Sequence, residues 1–171
     1  MEAILEMPAP VTEPRAVKSG KKKILLVDDD FAIRQILQHL LSDENYLVLT
    51  AANGVEALEL VNATKPDLLL LDLNMPIKGG WETIEQLSAK NPMLPIILIT
   101  AQHNQLFPAL ASGVSALMEK PLDLVKLLQT IENLLSESDE ARQARRMGWA
   151  TKFHYYPPRN DEPSEPERHV H

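Results

Sequence analysis

The chain has 171 residues, enough for one domain with tails, and its 44% hydrophobic content can fill a core. A net charge of −7 argues against general nucleic-acid binding, which wants a basic face. With no cysteine there can be no disulfide and no thiolate metal site. The apolar runs are too short to span a bilayer, and the start Met1-Glu2-Ala3-Ile4-Leu5-Glu6 lacks the basic and apolar regions of a signal peptide. A soluble protein of the cytoplasm, without a membrane partner, is the expectation.

Residues 1–21 carry Pro8, Pro10 and Pro14 without sustained periodicity and read as a flexible N-terminal arm. Ile24-Leu25-Leu26-Val27 is a short buried-strand pattern that ends at Asp28-Asp29-Asp30. Ile33, Ile36, Leu37, Leu40 and Leu41 then recur at the spacing of an amphipathic helix, with Asp30 placed to cap it. Tyr46 to Ala51 reads as a second strand, Asn53-Gly54 as a turn, and Val55, Leu58 and Val61 as a second helical stripe.

Asp67-Leu68-Leu69-Leu70-Leu71-Asp72 follows. Its leucine run suits a strand covered on both faces. Alone, Asp72 is either a strand-end cap or a chemical group. A loop over Pro76–Gly80 leads to a helix with Trp81, Ile84 and Leu87. Ile96 to Thr100 is a fourth strand. A short helix ends at Ser112-Gly113, and its Pro108 predicts a late start, since proline is tolerated only in a first turn. Val114 to Glu119 is a fifth strand. Leu124, Leu127, Leu128, Ile131, Leu134 and Leu135 share one face of a last helix. Such strand–helix alternation predicts a parallel sheet with helices on both faces and right-handed crossovers.

In that sheet Asp28, Asp29, Asp72, Thr100 and Lys120 all fall at one edge, where open α/β sheets bind ligands. Clustered carboxylates repel: two charges ~5 Å apart at an effective dielectric near 20 cost about 3 kcal/mol. A cation offsets this, or a pKa rises. Oxygen ligands suit Mg²⁺, and Lys120 adds a mobile positive charge. The set reads as a site for moving a phosphoryl group onto an aspartate.

Ile24–Asp30, Ala52-Asn53-Gly54-Val55-Glu56-Ala57-Leu58, Asp72-Leu73-Asn74-Met75-Pro76, Thr100-Ala101 and Lys120-Pro121 together resemble a response-regulator receiver domain of the single-domain, chemotaxis type, over Lys22 to Leu135. The resemblance implies a flavodoxin-like, doubly wound sheet of five parallel strands in the order 2-1-3-4-5 with five helices. It implies a receiver domain over residues 22–136, with residues 137–171 as a tail. It also implies that Asp72 is the phosphoacceptor, and that Asp28, Asp29, Asp72 and the backbone carbonyl of Asn74 hold Mg²⁺. Thr100 and Lys120 would bind the phosphoryl group, and Lys120-Pro121 matches the family's cis peptide. The donor would be a histidine kinase or phosphotransfer protein. The chain would be a signalling switch rather than an enzyme, acting on an output protein whose identity the sequence does not give.

Two departures from the pattern stand out. Leu117 occupies a position, three before the lysine, where the family often has an aromatic residue, and Gly79 replaces a common loop aspartate. Two other functions fit parts of the pattern. An aspartate-nucleophile phosphohydrolase usually has a second acid two residues after the nucleophile, where this chain has Asn74. An unphosphorylated interaction module of the same fold would not need the complete acid, threonine and lysine set.

The tail reads as a short basic helix over Ala141 to Met147, then an aromatic, proline-rich disordered segment. Trp149, Phe153, Tyr155 and Tyr156 either dock a partner, such as the output protein, or fold back onto the receiver.

Overall fold

The computed structural model describes residues 20–148 and 153–159. The arm over residues 1–19, Trp149, Lys152 and the chain after residue 159 lie outside the described residues. The elements run β1 (Lys23–Val27), α1 (Phe31–Asp43), β2 (Leu47–Ala51), α2 (Gly54–Thr64), β3 (Leu68–Asp72) and α3 (Gly80–Lys90). They continue with β4 (Ile96–Thr100), α4 (Leu106–Ser112), β5 (Ala116–Glu119), α5 (Leu124–Ser136), α6 (Asp139–Arg146) and β6 (His154–Tyr156). All neighbouring strands pair parallel, in the order β2-β1-β3-β4-β5-β6.

The four-leucine run is explained by period-two alternation within a doubly covered sheet. Leu69 and Leu71 face a core shared with Ala57 and Val61 of α2 and Ile84 and Leu87 of α3. Leu68 and Leu70 face the opposite core, with Leu37 and Leu41 of α1 and Leu127, Ile131 and Leu134 of α5. Ile96 to Ile99 on β4 alternate in the same way. Burying each such side chain contributes about 1.5–3 kcal/mol. Three of the stripe positions point outward instead: Ile36 on α1, Val55 on α2 and Leu124 on α5 are exposed.

The helices start where the sequence supplies caps. The Asp30 carboxylate accepts from the Ile33 backbone N–H at 3.1 Å, and the Asn53 amide oxygen accepts from Val55 and Glu56 at 3.0 Å. Glu56 accepts in turn from the Ala52 N–H at 2.9 Å, a reciprocal capping arrangement. The fourth helix does start late, at Leu106, with Pro108 in its first turn. Among the described residues no helix is long and apolar enough to cross a membrane.

The fold class is the expected one, and the short basic helix expected in the tail is present as α6, but the sheet has six strands among the described residues where five were expected. Past α5 the chain forms α6, capped by Ser138, whose hydroxyl accepts from the Ala141 N–H. Arg145 of α6 donates to the Ser115 hydroxyl at 2.7 Å and pairs with Glu137. His154–Tyr156, expected to be disordered, adds to β5 as β6, with Leu117 opposite Tyr155. Phe153 packs on one core and Tyr156 on the other. The fold-back alternative for the tail therefore describes these aromatics. A strand this short, next to Pro157 and Pro158, has too few positions to display a period.

Candidate functional site

Each site residue stands at the carboxyl end of a strand, and the register brings those ends together. Val27 pairs with Leu71, so Asp28 lies beside Asp72, while Thr100 pairs with Glu119 and so lies next to Lys120. Asp28 and Asp72 are buried, at 2% and 4% exposure, Thr100 is fully buried, and Asp29 is exposed.

Local turns orient the carboxylates. One oxygen of Asp28 accepts from the Asp30 N–H at 2.9 Å, and one oxygen of Asp72 accepts from the Asn74 N–H at 3.0 Å. Each acid thereby keeps its other oxygen for the cleft. Those second oxygens lie 3.2 Å (Asp28) and 3.3 Å (Asp72) from the Lys120 ammonium. The Lys120-Pro121 peptide is cis, as the resemblance implies. Close approach around Asp72 also depends on Gly80. A Cβ there would stand 2.9 Å from the Asp72 carbonyl oxygen and 2.7 Å from Leu73 Cα.

Burial raises the Asp72 pKa above the ordinary aspartate value, and the Asp28 charge adds to the rise; the Asn74 N–H and the Lys120 ammonium pull against it. Burial works against the charged form of Lys120, but the attraction of Asp72 and Asp28 outweighs it and the net shift is upward. One lysine against three acids leaves the cleft negative.

Asp28, Asp29 and Asp72 each offer a carboxylate oxygen, and these oxygens lie within 4.8 Å of one another. An all-oxygen, negatively charged cluster of this kind has the donor chemistry of a hard divalent cation.

The Thr100 hydroxyl accepts from the Gln102 N–H at 2.9 Å, which ties it to the loop before α4. Gln102 reaches back over the cleft, and its amide donates to the Asn74 side-chain oxygen at 2.6 Å. The structure thus gathers Asp28, Asp29, Asp72 and Lys120 in one cleft, with the buried Thr100 at the end of β4 linked through Gln102 to Asn74.

Sequence reasoning did not single out Glu119. This buried residue is 3.6 Å from His103 and accepts from the Tyr155 hydroxyl at 2.9 Å. Its position next to Lys120 was the available signal. His103 is exposed but faces that carboxylate.

Comparison with known proteins agrees with this geometry. The family model for the response regulator receiver domain matches residues 24–132. Response regulator MprA of Mycobacterium ulcerans (strain Agy99) is 38% identical over 131 residues, covering 73% of this chain and 56% of that protein. The DNA-binding transcriptional regulator NtrC of Escherichia coli (strain K12) is 33% identical over 127 residues, covering 72% of this chain and 27% of that protein. The chain therefore spans about half or less of these relatives.

Among solved structures, the chemotaxis response regulator CheY4 of Vibrio cholerae superposes with a TM-score of 0.62 at 31% identity, covering 67% of this chain and 99% of that one. Response regulator protein TrrA of Thermotoga maritima, solved in complex with Mg(2+)-BeF, gives 0.62 at 32% identity, covering 66% and 98%. From sheet order to strand-end acids to matched sequence, the chain belongs to the response-regulator receiver family.

Proposed function

We propose that the chain is a phosphoacceptor switch in which Asp72 takes a phosphoryl group from a phosphohistidine partner with Mg²⁺. The observation that carries this reading is the buried Asp72 carboxylate, held between a second buried acid and a lysine. Asp28, Asp29, Asp72 and the Asn74 carbonyl would hold the ion. When bound, the ion supplies neutralisation of the acids and of the incoming phosphoryl oxygens. The likeness to TrrA, whose solved complex contains Mg(2+)-BeF, supports this assignment.

The chain's own groups account for the transfer. The free Asp72 oxygen attacks phosphorus, the P–N bond to the donor imidazole breaks, and the imidazole keeps that electron pair. Lys120 follows the charge from the Asp72 carboxylate onto the phosphoryl oxygens. The Thr100 hydroxyl, which accepts from the Gln102 N–H, can donate its own proton to one of them. The acyl phosphate then biases the loop before α4 toward a second arrangement and changes which partner binds.

The donor would be a histidine kinase or phosphotransfer protein of the cytoplasm. An apolar groove of about 320 Å³, lined by Ile33, Ile36, Leu37, Pro121, Leu122 and Leu124, opens beside Lys120. A helical donor seated there would present its phosphohistidine to Asp72.

The hydrolase alternative needs a second acid two positions after the nucleophile. That position is Asn74, an amide engaged by Gln102. Incubation with a small phosphoester and Mg²⁺ separates the two readings. A switch releases phosphate only as fast as its own acyl phosphate decays, whereas turnover of the ester much faster than that decay, lost in Asp72→Asn, would overturn the switch reading.

A further inference from the structure

The tail strand does more than lengthen the sheet, because it holds both chain neighbours of Lys120. Before the lysine, the Tyr155 hydroxyl donates to Glu119 at 2.9 Å. After it, the Arg159 backbone N–H donates to the Pro121 carbonyl at 3.1 Å. Lys120 itself touches Asp28 and Asp72. The lysine that contacts the proposed phosphoacceptor is therefore gripped on both sides by a segment 33 or more positions away in the chain.

A second line of contact runs through Glu119. Its other carboxylate oxygen faces His103, 3.6 Å away in the loop that Thr100 and Gln102 begin. Glu119 is also the register partner of Thr100. Tyr155 in turn lies opposite Leu117, the β5 position where the resemblance leads one to look for an aromatic ring. An aromatic residue thus stands one strand beyond Leu117, on β6.

The rest of the strap is fastened away from the site. Tyr156 shares a hydrogen bond with Thr130 at 3.2 Å, and the Lys126 ammonium lies 5.8 Å from its ring centre. The Tyr155 hydroxyl is the strap's side-chain link to Glu119, and burial places that link against a carboxylate that cannot easily seek water instead.

We propose that the segment 153–159, with β6 at its centre, is a built-in strap whose docking on β5 is coupled to the state of Asp72, with Tyr155 as a positioning residue that acts on Lys120 through Glu119. This inference rests on the phosphoacceptor reading. A phosphoryl group on Asp72 draws Lys120 and Thr100 toward its oxygens, shifts Glu119 and His103, and loosens the strap. Coupling between sites is reciprocal, so a loosened strap favours the phosphorylated state by the same factor.

The test uses the full chain. Hydrogen exchange of residues 153–159 is followed with and without Mg²⁺ and a small phosphodonor, while intact mass on the same samples reports uptake. Exchange in the strap is expected to speed up about fivefold on phosphorylation, with β1 unchanged, as for a coupling at the low end of the usual range. Tyr155→Phe is expected to bind beryllium fluoride with Mg²⁺ about threefold more tightly, the worth of part of one half-buried hydrogen bond. Glu119→Gln keeps an acceptor for the hydroxyl and should retain wild-type strap exchange before phosphorylation. Full uptake with unchanged strap exchange, or unchanged beryllium fluoride affinity in Tyr155→Phe, overturns the coupling and leaves the phosphoacceptor reading standing. No uptake overturns that reading, and the coupling with it.

Discussion

The Lys120 ammonium stands 3.3 Å from the Asp72 carboxylate across 48 positions of sequence. It starts from the end of β5 and reaches past the end of β4 to the acid that ends β3. A flexible four-carbon stem with a compact charge suits that reach, and a planar guanidinium does not match it.

Removing this lysine leaves two buried acids facing one another. Lys120→Ala should destabilise the fold by about 2 kcal/mol, less than the 3–5 kcal/mol of a fully buried pair because the lysine is partly exposed. Urea unfolding measures the loss, and Mg²⁺ should recover part of it. A variant as stable as the parent in metal-free buffer would show that the lysine does not offset the acids.

Metal binding should itself stabilise the chain. At a hundredfold excess over its Kd, Mg²⁺ should add about 2.7 kcal/mol by linkage. Thermal melts should therefore rise with Mg²⁺ in the parent and stay nearly flat in Asp29→Asn, a change at the exposed acid that spares the core. Equal shifts in both proteins would place the ion elsewhere.

The Asp72 carboxyl should titrate above the ordinary aspartate range in metal-free protein, because burial and Asp28 disfavour its charged form. The folded state then holds this proton more tightly than the unfolded chain. Ionising Asp72 thus weakens the fold as pH rises from the ordinary value through the raised one. Carbon-detected NMR of labelled aspartate reads the titration directly, and Mg²⁺ should lower it. A normal pKa without metal would contradict the electrostatic account.

Gly80→Ala tests how tightly the site is packed. The added methyl would meet Leu73 Cα at 2.7 Å and the Asp72 carbonyl oxygen at 2.9 Å, both backbone atoms that cannot swing aside. Overpacking of this kind costs about 1–3 kcal/mol. Phosphoryl uptake should slow as the segment after Asp72 shifts. Gly79→Ala, where a Cβ meets nothing within 4 Å, is the control and should leave both unchanged.

Much of this was legible in the sequence, for identifiable physical reasons. The strands Leu68–Asp72 and Ile96–Thr100 are apolar on both faces, a pattern that few other elements produce. Alternation of strands and helices dictates a parallel sheet, and that in turn sends Asp28, Asp72, Thr100 and Lys120 to one edge. The caps Asp30 and Asn53 act locally and could be read locally. The outward turn of Ile36, Val55 and Leu124 was not legible, because periodicity shows a stripe but not how wide the covering surface is. Strand β6 was hidden for a different reason. Its place depends on an unfilled edge of β5 and on the anchor from Arg145 to Ser115, both of which exist only in the folded chain. Glu119 was missed with it, since its partner Tyr155 is 36 positions away.

The most direct test is the mass of the intact chain after incubation with a small phosphodonor and Mg²⁺, beside Asp72→Asn and a receiver known to react. The parent should gain the mass of one phosphoryl group, lose the gain when Mg²⁺ is chelated beforehand, and Asp72→Asn should gain nothing. An unmodified parent under conditions where the known receiver reacts, or a gain that persists in Asp72→Asn, would contradict the assignment of Asp72 as phosphoacceptor.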